Sequence, residues 1–476
     1  MTATSPLRST VQPQSFPPDF LWGVATAAYQ IEGATAEGGR TPSIWDTFAH
    51  TPGRIRDGDH GDIACDHYHR HAEDVALMAD MGVGGYRFSI SWSRLLPDGT
   101  GEVNPEGVAF YRRLCKDLLA AGITPNVTLY HWDLPQVLAD RGGWLSPDSP
   151  DWFAAYAATA KAALGDLVQW WSTFNEPYVA AFLGHASGIH APGITDPGAG
   201  FVAAHHMMVA HHRGVAALRG TDPDGGEQVG GDHIGIVLNL TPTWPAGEDP
   251  LDAVAADRVD TIHNRLFLEA VTAGRYPEAI LQHATRYGVA DRVGEDALAQ
   301  AHAGAGDGID WLGVNYYDVS RIAHARGAEA PAGLPGADET VGVTPPEPLT
   351  DMGWGVQPDG LSWMLRRVAA AHPDLPMLVC ENGAAYPDRV DADGAVVDPD
   401  RIAYLDAHLG AVAEAIADGV DVRGYYVWSL LDNFEWAFGY GMRFGIVHVD
   451  WTTLQRTVKA SGHWYRCMIA AHASAV

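Results

Sequence analysis

Short apolar runs alternate with amphipathic helical stretches along most of the chain, from Phe16 onward. The stretches predict helices, such as His69 to Met81, for which Asp66 is the expected N-cap, and Pro105 to Ala120. Eight runs have the length and composition of strands: Leu21–Ala25, Gly85–Ile90, Thr124–Leu129, Val168–Phe174, His233–Leu238, Trp311–Val314, Met377–Cys380 and Val422–Val427. This alternation predicts an α/β fold with a parallel sheet. Eight strands favour a closed (β/α)8 TIM barrel, although an open doubly wound sheet carries the same pattern.

The length of the chain leaves the number of domains open. A chain of 476 residues could form two or three domains, but a barrel with long loop insertions also reaches this size. The Gly/Pro/Asp-rich segments Thr221–Gly231 and Arg326–Pro348 are predicted to be such insertions. Residues 1–15 are polar and rich in Pro and Ser, so we predict a flexible tail followed by one barrel domain at residues 16–476.

Charge and cysteine content restrict the classes of partner and site. The net charge of −29 disfavours nucleic acid and anionic membrane surfaces, and it fits a neutral small-molecule substrate. The four cysteines lie far apart without a CxxC pair, which disfavours a zinc site and a disulfide scaffold. The N-terminus lacks the apolar core of a signal peptide, and no run of about eighteen apolar residues follows. We therefore expect a cytoplasmic protein, with homo-oligomerisation left open.

Polar and aromatic side chains recur where the predicted strands end, which is where α/β barrels carry their active sites. Amides, carboxylates and flat rings match the hydroxyls and C–H faces of a sugar. Each such residue could equally form a turn or pack in the core, but their recurrence at all eight strands favours a binding site. In strand order they are Gln30 and Glu32; Arg87; His131 and Trp132; Asn175 and Glu176; Asn239; Asn315, Tyr316 and Tyr317; Glu381; and Trp428, Glu435 and Trp436.

Two glutamates stand out among these residues because each directly follows an apolar strand. Glu176 follows the fourth strand and Glu381 the seventh, so they are expected to face each other across the barrel mouth. Glycoside cleavage uses two carboxyl groups on either side of the scissile bond. The alternative is that each glutamate forms a structural pair with an arginine.

A second cluster of chemically active residues lies on a predicted helix and contains His205, His206, His211 and His212. It raises the alternative of a metalloprotein. No acidic HExxH pattern accompanies the cluster, so packing or capping is the expected role of these histidines.

The motifs around the strand ends resemble glycoside hydrolase family 1, the β-glucosidase family, from Phe16 to about Tyr465. The resemblance rests on the full set in this order: Phe20-Leu21-Trp22-Gly23, Ala27 to Gly33, Tyr86 to Trp92, Leu129 to Pro135, Thr173-Phe174-Asn175-Glu176-Pro177, Asn315-Tyr316-Tyr317, Glu381-Asn382-Gly383 and Trp428 to Trp436. One departure is Cys380, where many members carry Thr or Ser. It is either a tolerated small residue or a reactive thiol.

The resemblance implies a role for each matching residue. Glu176 would be the acid/base and Glu381 the nucleophile, with Arg87 and Tyr317 keeping Glu381 ionised and oriented. Trp354 resembles the aromatic residue that contacts the leaving group. The implied sugar-binding residues are Gln30, His131, Trp132, Asn175, Asn315, Trp428, Glu435 and Trp436.

The family's reaction is a double displacement with retention of configuration, which requires carboxyl groups about 5–5.5 Å apart and no metal or organic cofactor. Glu435 would repel a phosphate, so the resemblance implies an unphosphorylated sugar, with glucose ahead of fucose or galactose. Two alternatives remain: transfer of the sugar to an acceptor other than water, and a sugar-binding protein without turnover.

Overall fold

The computed structural model describes residues 10–220, 231–306 and 308–475, and eight parallel strands in these ranges close into one barrel. The strands lie around the barrel in the order in which they occur in the chain. The first strand pairs with the last, from Leu21 opposite Gly424 to Ala25 opposite Trp428. The predicted closed barrel is therefore confirmed, and the open sheet is wrong. The strands are Leu21–Ala25 (β1), Gly85–Ser89 (β2), Thr124–Tyr130 (β3), Trp170–Asn175 (β4), His233–Asn239 (β5), Trp311–Asn315 (β6), Met377–Asn382 (β7) and Val422–Trp428 (β8).

The barrel strands are buried along nearly their whole length. Val127, Trp171 and Val314, on three different strands, have no exposed surface. Strands of a parallel barrel face the packed interior on one side and helices on the other, so both faces exclude water. This is why the sequence carries continuous apolar runs instead of an alternating pattern.

Helices surround the barrel and fill the connections between its strands. The longer helices are His67–Asp80, Pro105–Ala120, Ser149–Leu164, Pro197–Arg219, Pro250–Asp260, Leu266–Ala273, Glu278–Arg286, Glu295–Gly304, Pro358–Ala371, Pro399–Ala417 and Ala460–Ala475. Shorter helical segments are Pro13–Ser15, Ala28–Ile31, Ile44–Ala49, Arg56–Gly58, Trp92–Leu95, Gln136–Ala139, Gly143–Leu145, Val179–Leu183, Thr261–Arg265 and Trp436–Phe438. No helix in the described ranges is both long and apolar enough to cross a membrane.

The two helices singled out in the sequence are present. Pro105–Ala120 has the predicted bounds, and the Asn104 side chain caps it by accepting from the Glu106 N–H at 3.2 Å. His67–Asp80 begins two residues earlier than predicted, with Asp66 at its N-cap position. The expected capping bond is absent, because the Asp66 carboxylate lies 2.6 Å from Nδ1 of His69 instead.

The predicted insertions are only partly irregular. Within Arg326–Pro348, the strand Thr340–Val343 pairs antiparallel with Ser320–His324, which in turn pairs with Thr243–Pro245. Most of the loop predicted at Thr221–Gly231 lies outside the described residues.

Two further strand pairs lie outside the predicted insertions. Arg389–Val390 pairs with Val396–Val397, and Val447–Val449 pairs with Arg456–Val458.

Residues 10–15, which the sequence assigns to the flexible tail, already contact the rest of the fold. Thr10 donates to the Asp406 carboxylate at 2.9 Å from its backbone N–H, and Val11 is buried. Pro13–Ser15 form one helical turn. Residues 10–15 are thus held against the fold, residues 1–9 of the predicted tail lie outside the described part of the chain, and the domain at residues 16–476 stays a prediction.

Candidate active site

The carboxyl ends of the barrel strands surround a cavity of about 430 Å³. Glu176 follows β4 directly, Asn315 ends β6, and Glu381 lies opposite Asn315 in the ladder between β7 and β6. Eleven residues predicted from the sequence line this cavity: His131, Trp132, Glu176, Asn239, Asn315, Tyr317, Trp354, Glu381, Trp428, Glu435 and Trp436. Folding therefore brings together side chains as far apart in the chain as His131 and Trp436.

Both carboxylate oxygens of Glu381 receive hydrogen bonds. Arg87, from β2, donates to Oε1 at 2.6 Å, and the Tyr317 hydroxyl donates to Oε2 at 2.8 Å. Gly383 allows the chain after Glu381 to pass against β8, since a Cβ there would lie 1.7 Å from the carbonyl oxygen of Trp428. A side chain at that position would displace the strand end that carries Glu381.

Glu176 is held differently. Its backbone has a left-handed conformation with φ of 45°, which costs a non-glycine residue of this kind about 1–3 kcal/mol. Its N–H donates to the Val237 carbonyl at 2.9 Å, and its Oε1 accepts from the Asn315 amide at 2.7 Å. The partner of this carboxyl group is thus a neutral amide, in contrast to the guanidinium that binds Glu381.

The two glutamates are connected through shared partners. Arg87 also donates to Oδ1 of Asn175 at 2.7 Å, and Asn315 donates to the same oxygen at 3.1 Å. Arg87 therefore binds Glu381 and Asn175, and Asn315 binds Asn175 and Glu176. This chain of contacts fixes both carboxyl groups relative to the barrel.

Burial and charge separate the proton affinities of these groups. Burial, followed by the charge of Glu381, raises the pKa of Glu176 to about 8. Burial also raises the pKa of Glu381, but the Arg87 guanidinium opposes that rise, and the hydrogen bonds from Arg87 and Tyr317 add to the opposition. The proton of the pair therefore resides on Glu176 at neutral pH.

Asn175 and its neighbours form one wall of the site. Its Nδ2 donates to Nε2 of His131 at 3.1 Å, and its backbone carbonyl accepts from Nε1 of Trp132 at 2.9 Å. Burial, with Arg87 nearby, holds the pKa of His131 well below its usual range, so the imidazole is neutral. Since Nε2 accepts, Nδ1 carries the hydrogen, and this buried donor has no partner within the described chain.

The segment after β8 forms another wall through Glu435, Trp436 and Trp428. His131 is stacked with both tryptophans, with ring centroids 5.9 Å apart in each pair. Burial, then the charge of Glu381, raises the pKa of Glu435 to about 8. Gln30 lies behind this wall, where its Nε2 donates to the Asn433 side chain at 3.0 Å and to the Phe434 carbonyl at 2.8 Å.

A buried ion cluster anchors this segment. Asp432 accepts from Arg443 and from Lys459, each at 2.7 Å, and Lys459 also lies 2.9 Å from Asp388. Within the segment, Asn433 donates to the Ser429 hydroxyl at 3.0 Å. These contacts fix the backbone on either side of Glu435.

Several cavity residues have no signal in the sequence pattern, because they do not directly follow a barrel strand; apart from Ser320, which begins the strand Ser320–His324, they lie on loops and short helical segments. They are Tyr178, Val179, Leu183, Ile189, His190, Thr241, His263, Asp318, Ser320, Met352, Phe438 and Phe444. Asn239, which the strand pattern did mark, also lines the cavity. Met352 and Phe444 pack near Tyr317 and Trp354, whose ring centroids are 5.1 Å apart.

Two of the residues singled out in the sequence, Glu32 and Cys380, have structural roles. Glu32 accepts from Arg94 at 2.9 Å and from Tyr111 at 2.7 Å, outside the cavity. Cys380 is fully buried, and burial raises the pKa of its thiol to about 12, so the alternative of a reactive thiol is wrong.

The histidine cluster also has a structural role. His205 bonds to Tyr276, His206 to the Trp144 carbonyl, His211 to Thr173 and His212 to the Ala270 carbonyl. These separate partners confirm the expected packing role.

Comparison with known proteins gives a consistent family. The family model described as "Glycosyl hydrolase family 1" matches residues 12–474. "Beta-glucosidase A" of Acetivibrio thermocellus is 44% identical over 455 residues, covering 96% of this chain and 98% of that protein. "Thermostable beta-glucosidase B" of Thermobispora bispora is 48% identical over 456 residues, covering 96% of this chain and 90% of that protein. A β-glucosidase structure from Thermotoga maritima, in complex with deoxynojirimycin, has a TM-score of 0.88 at 44% identity, covering 96% and 99% of the two chains.

Proposed function

The chain belongs to glycosyl hydrolase family 1, and from this membership we propose how its two buried glutamates cleave a glycosidic bond. The enzyme is a retaining β-glucosidase that hydrolyses non-reducing-end β-D-glucosyl residues of oligosaccharides or of aryl and alkyl glucosides. In our proposal Glu381 is the nucleophile and Glu176 the acid/base. The supporting observation is the asymmetry of the pair, since Glu381 is bound on both oxygens by Arg87 and Tyr317.

In the first step, the Glu381 carboxylate attacks the anomeric carbon while Glu176 donates its proton to the glycosidic oxygen. The pKa of about 8 keeps this proton on Glu176 at neutral pH. Arg87 and Tyr317 orient the attacking carboxylate. The products of this step are the released aglycone and a glucosyl ester on Glu381.

In the second step, Glu176 removes a proton from water, which attacks the anomeric carbon and releases glucose with its original configuration. Ester formation removes the negative charge of Glu381. That charge contributes to the raised pKa of Glu176, so the pKa falls when the ester forms and Glu176 becomes a carboxylate. One residue can thus act as acid in the first step and as base in the second.

The sugar-binding roles are proposed for residues whose buried polar atoms lack partners within the described chain. These atoms are Oε1 of Gln30, Nδ1 of His131 and Oε2 of Glu435. Buried polar atoms are normally paired, so the unpaired atoms of His131 and Glu435, which line the cavity, are suited to hydroxyl groups of a ligand, and so is that of Gln30 behind the same wall. Asn175, oriented by Arg87 and Asn315, is proposed to bind the 2-hydroxyl, and Trp428 and Trp436 to contact the sugar ring.

An unphosphorylated glycon remains our proposal, but its physical basis differs from the one inferred from sequence. With a pKa of about 8, Glu435 carries a proton in the free enzyme at neutral pH, so simple charge repulsion is weaker than expected. The described residues lining the cavity include no Lys or Arg, and burial lowers the pKa of its three histidines. A phosphate would therefore enter without a cation to neutralise it.

The leaving group is proposed to occupy the outer part of the cavity. Trp354, Tyr178 and Phe438 contribute flat apolar rings to the cavity lining. Such surfaces suit both aryl groups and the C–H face of a second sugar.

The test is release of nitrophenol from aryl β- and α-glucosides, β-fucoside, β-galactoside and 6-phospho-β-glucoside. We expect β-glucoside cleavage that is lost in Glu381→Gln. Glu32→Gln is the matched control, because Glu32 is also a buried glutamate after a strand but lies outside the cavity. If Glu381→Gln kept its activity while Glu32→Gln lost it, Glu381 would not be the nucleophile. Preference for the phosphorylated substrate would overturn the proposal of an unphosphorylated sugar.

Transfer of the sugar to an acceptor other than water uses the same residues. Product analysis with an added alcohol separates the two outcomes, since a transferase yields mainly the alkyl glucoside. A protein that binds glucose without releasing nitrophenol would instead support the alternative of a binding protein.

We also propose a cytoplasmic location, which the acidic net charge of −29 supports. Assembly into a homo-oligomer, and the expected absence of nucleic-acid and membrane partners, remain predictions.

A further inference from the structure

Two histidines and an aspartate meet on the segment that links the helices Ile44–Ala49 and His67–Asp80. Nε2 of His50 lies 3.2 Å from Oδ2 of Asp62, and Nδ1 of His60 lies 3.3 Å from the same oxygen. The three potential ligand atoms all lie within 4.8 Å of one another. We propose that His50, His60 and Asp62, here called the His50 cluster, bind a divalent transition-metal ion such as Zn²⁺.

The hydrogen bond at the other end of the His50 ring determines which nitrogen is free. Nδ1 lies 2.7 Å from the backbone carbonyl oxygen of Asp46, which can only accept, so Nδ1 carries a hydrogen. Nε2 of the neutral ring then has a lone pair directed at the Asp62 carboxylate. Two acceptors at this distance require a positive centre between them, either a proton or a metal ion. A histidine whose remote N–H binds a carbonyl is the usual arrangement at metal sites.

Two further atoms of the cluster favour the metal ion. Nδ1 of His60 and Oδ1 of Asp62 are inaccessible to solvent and have no hydrogen-bond partner in the described chain. A proton shared by His50 and Asp62 would satisfy neither of them, whereas a metal ion would bind the His60 nitrogen directly. The two histidine rings are stacked with centroids 4.7 Å apart, and each ring places one nitrogen within 3.3 Å of the same carboxylate oxygen.

The spacing fits a tetrahedral ion. Zn²⁺ binds histidine nitrogen at about 2.0–2.1 Å and carboxylate oxygen at about 2.0–2.2 Å, which places neighbouring ligands about 3.3 Å apart in a tetrahedron. The observed 3.2 and 3.3 Å match that edge. Two nitrogens and one oxygen select Zn²⁺ and related ions over Mg²⁺ and Ca²⁺, which prefer oxygen. The side chains are 37–49% exposed, which leaves room for water as a fourth ligand.

The other candidate group in the described residues is Asp388, Asp432 and His448, and protein cations already occupy it. Lys459 contacts both aspartates at 2.9 and 2.7 Å, and Arg443 contacts Asp432 at 2.7 Å. A metal ion there would have to displace buried positive charges. In the His50 cluster, by contrast, no Lys or Arg of the described chain forms an ion pair with Asp62.

A metal ion in the His50 cluster would connect two segments that support the active-site wall. The helix ending before His50 carries Trp45, whose ring lies 4.5 Å from that of Trp436. The carbonyl of His60 accepts from the Tyr440 hydroxyl at 2.9 Å. None of the three ligands lines the cavity, so we expect the ion to stabilise this end of the barrel without taking part in the reaction.

The test is calorimetric titration of the metal-stripped, full-length enzyme with Zn²⁺, together with thermal unfolding with and without Zn²⁺. We expect His60→Ala and Asp62→Asn each to bind one Zn²⁺ fewer than the wild type, and to lose the Zn²⁺-dependent rise in Tm. Mg²⁺ should leave Tm unchanged. His69→Ala is the matched control, because His69 is similarly exposed and contacts two carboxylates, Asp66 and Glu37, but belongs to no three-ligand group.

Either of two results would overturn the proposal. One is the absence of Zn²⁺ binding by the wild type, and the other is equal stoichiometry in the wild type and His60→Ala. His50 and Asp62 would then form a proton-mediated ion pair only.

Discussion

The hydroxyl of Tyr317 provides a quantitative test of how Glu381, the proposed nucleophile, is kept ionised. It donates to Oε2 of Glu381 at 2.8 Å, and Tyr317→Phe removes this bond while retaining the ring that packs against Trp354. A hydrogen bond to a charged group contributes about 1.5–3 kcal/mol, and one pKa unit corresponds to about 1.36 kcal/mol. The substitution should therefore raise the pKa of Glu381 by about 1–2 units.

The sign of the effect follows from the form that reacts. In the proposed mechanism hydrolysis requires the Glu381 carboxylate, and a higher pKa keeps the proton on this group to a higher pH. The acidic limb of the kcat/KM profile should therefore move up by about 1–2 pH units, since this profile reports the free enzyme. The basic limb, assigned to Glu176, should stay in place because Tyr317 does not bind that residue.

The assay is kcat/KM for a nitrophenyl β-glucoside from pH 4 to 9. Tyr316→Phe is the control, because its hydroxyl donates to the Gln357 carbonyl and not to a glutamate. An unchanged acidic limb in Tyr317→Phe would refute the idea that this hydroxyl stabilises the carboxylate. Equal movement of both limbs would show that the variant disturbs the pair as a whole.

Three further predictions address the other parts of the site. Glu176→Gln should lower the steady-state rate of nitrophenol release by about 10²–10⁴-fold, with an initial burst of nitrophenol. The basic limb of its pH profile near pH 8 should disappear, and persistence of that limb would exclude Glu176 as its source. Glu435→Gln should lower kcat/KM for the β-glucoside, measured by steady-state kinetics, by about 10–100-fold because hydrogen bonds to the sugar are lost. An unchanged kcat/KM would show that Glu435 does not bind the sugar. An alkylating reagent should label the exposed Cys467 without loss of activity, as followed by peptide mass spectrometry, whereas inactivation with labelling of Cys380 would mean that this buried thiol is reachable.

The sequence predicted all eight barrel strands because both faces of such strands are buried, which produces continuous apolar runs. It placed several strand ends too early. β4, β5 and β6 each continue to an asparagine, and β7 continues through Glu381 to Asn382. The apolar pattern stops at these polar residues, but the hydrogen-bond ladder does not. The residues that looked like the beginning of loops are therefore held by the strands themselves.

Other features depend on contacts that no local pattern encodes. Barrel closure requires β1 and β8 to pair across four hundred residues. The proton on Glu435 follows from burial and from Glu381, so the sequence identified a carboxyl group but not its ionisation state. Tyr178, His190 and His263 reach the cavity from loops and short helical segments, where spacing in the sequence carries no information about direction. Asp66 lies at the predicted cap position, yet it binds His69 because its left-handed backbone removes the capping geometry.

The most direct test of the central claim is to trap the covalent intermediate. A β-glucoside with fluorine in place of the 2-hydroxyl and an activated leaving group should form the ester quickly and hydrolyse it slowly, because the fluorine destabilises the positively charged transition states. We predict one added fluoroglucosyl group per chain, located by peptide mass spectrometry on Glu381 and absent in Glu381→Gln. An adduct on Glu176 or another residue would contradict the assignment of the nucleophile. Turnover of the ordinary glucoside with inversion of configuration, and without any adduct, would contradict the double-displacement mechanism itself.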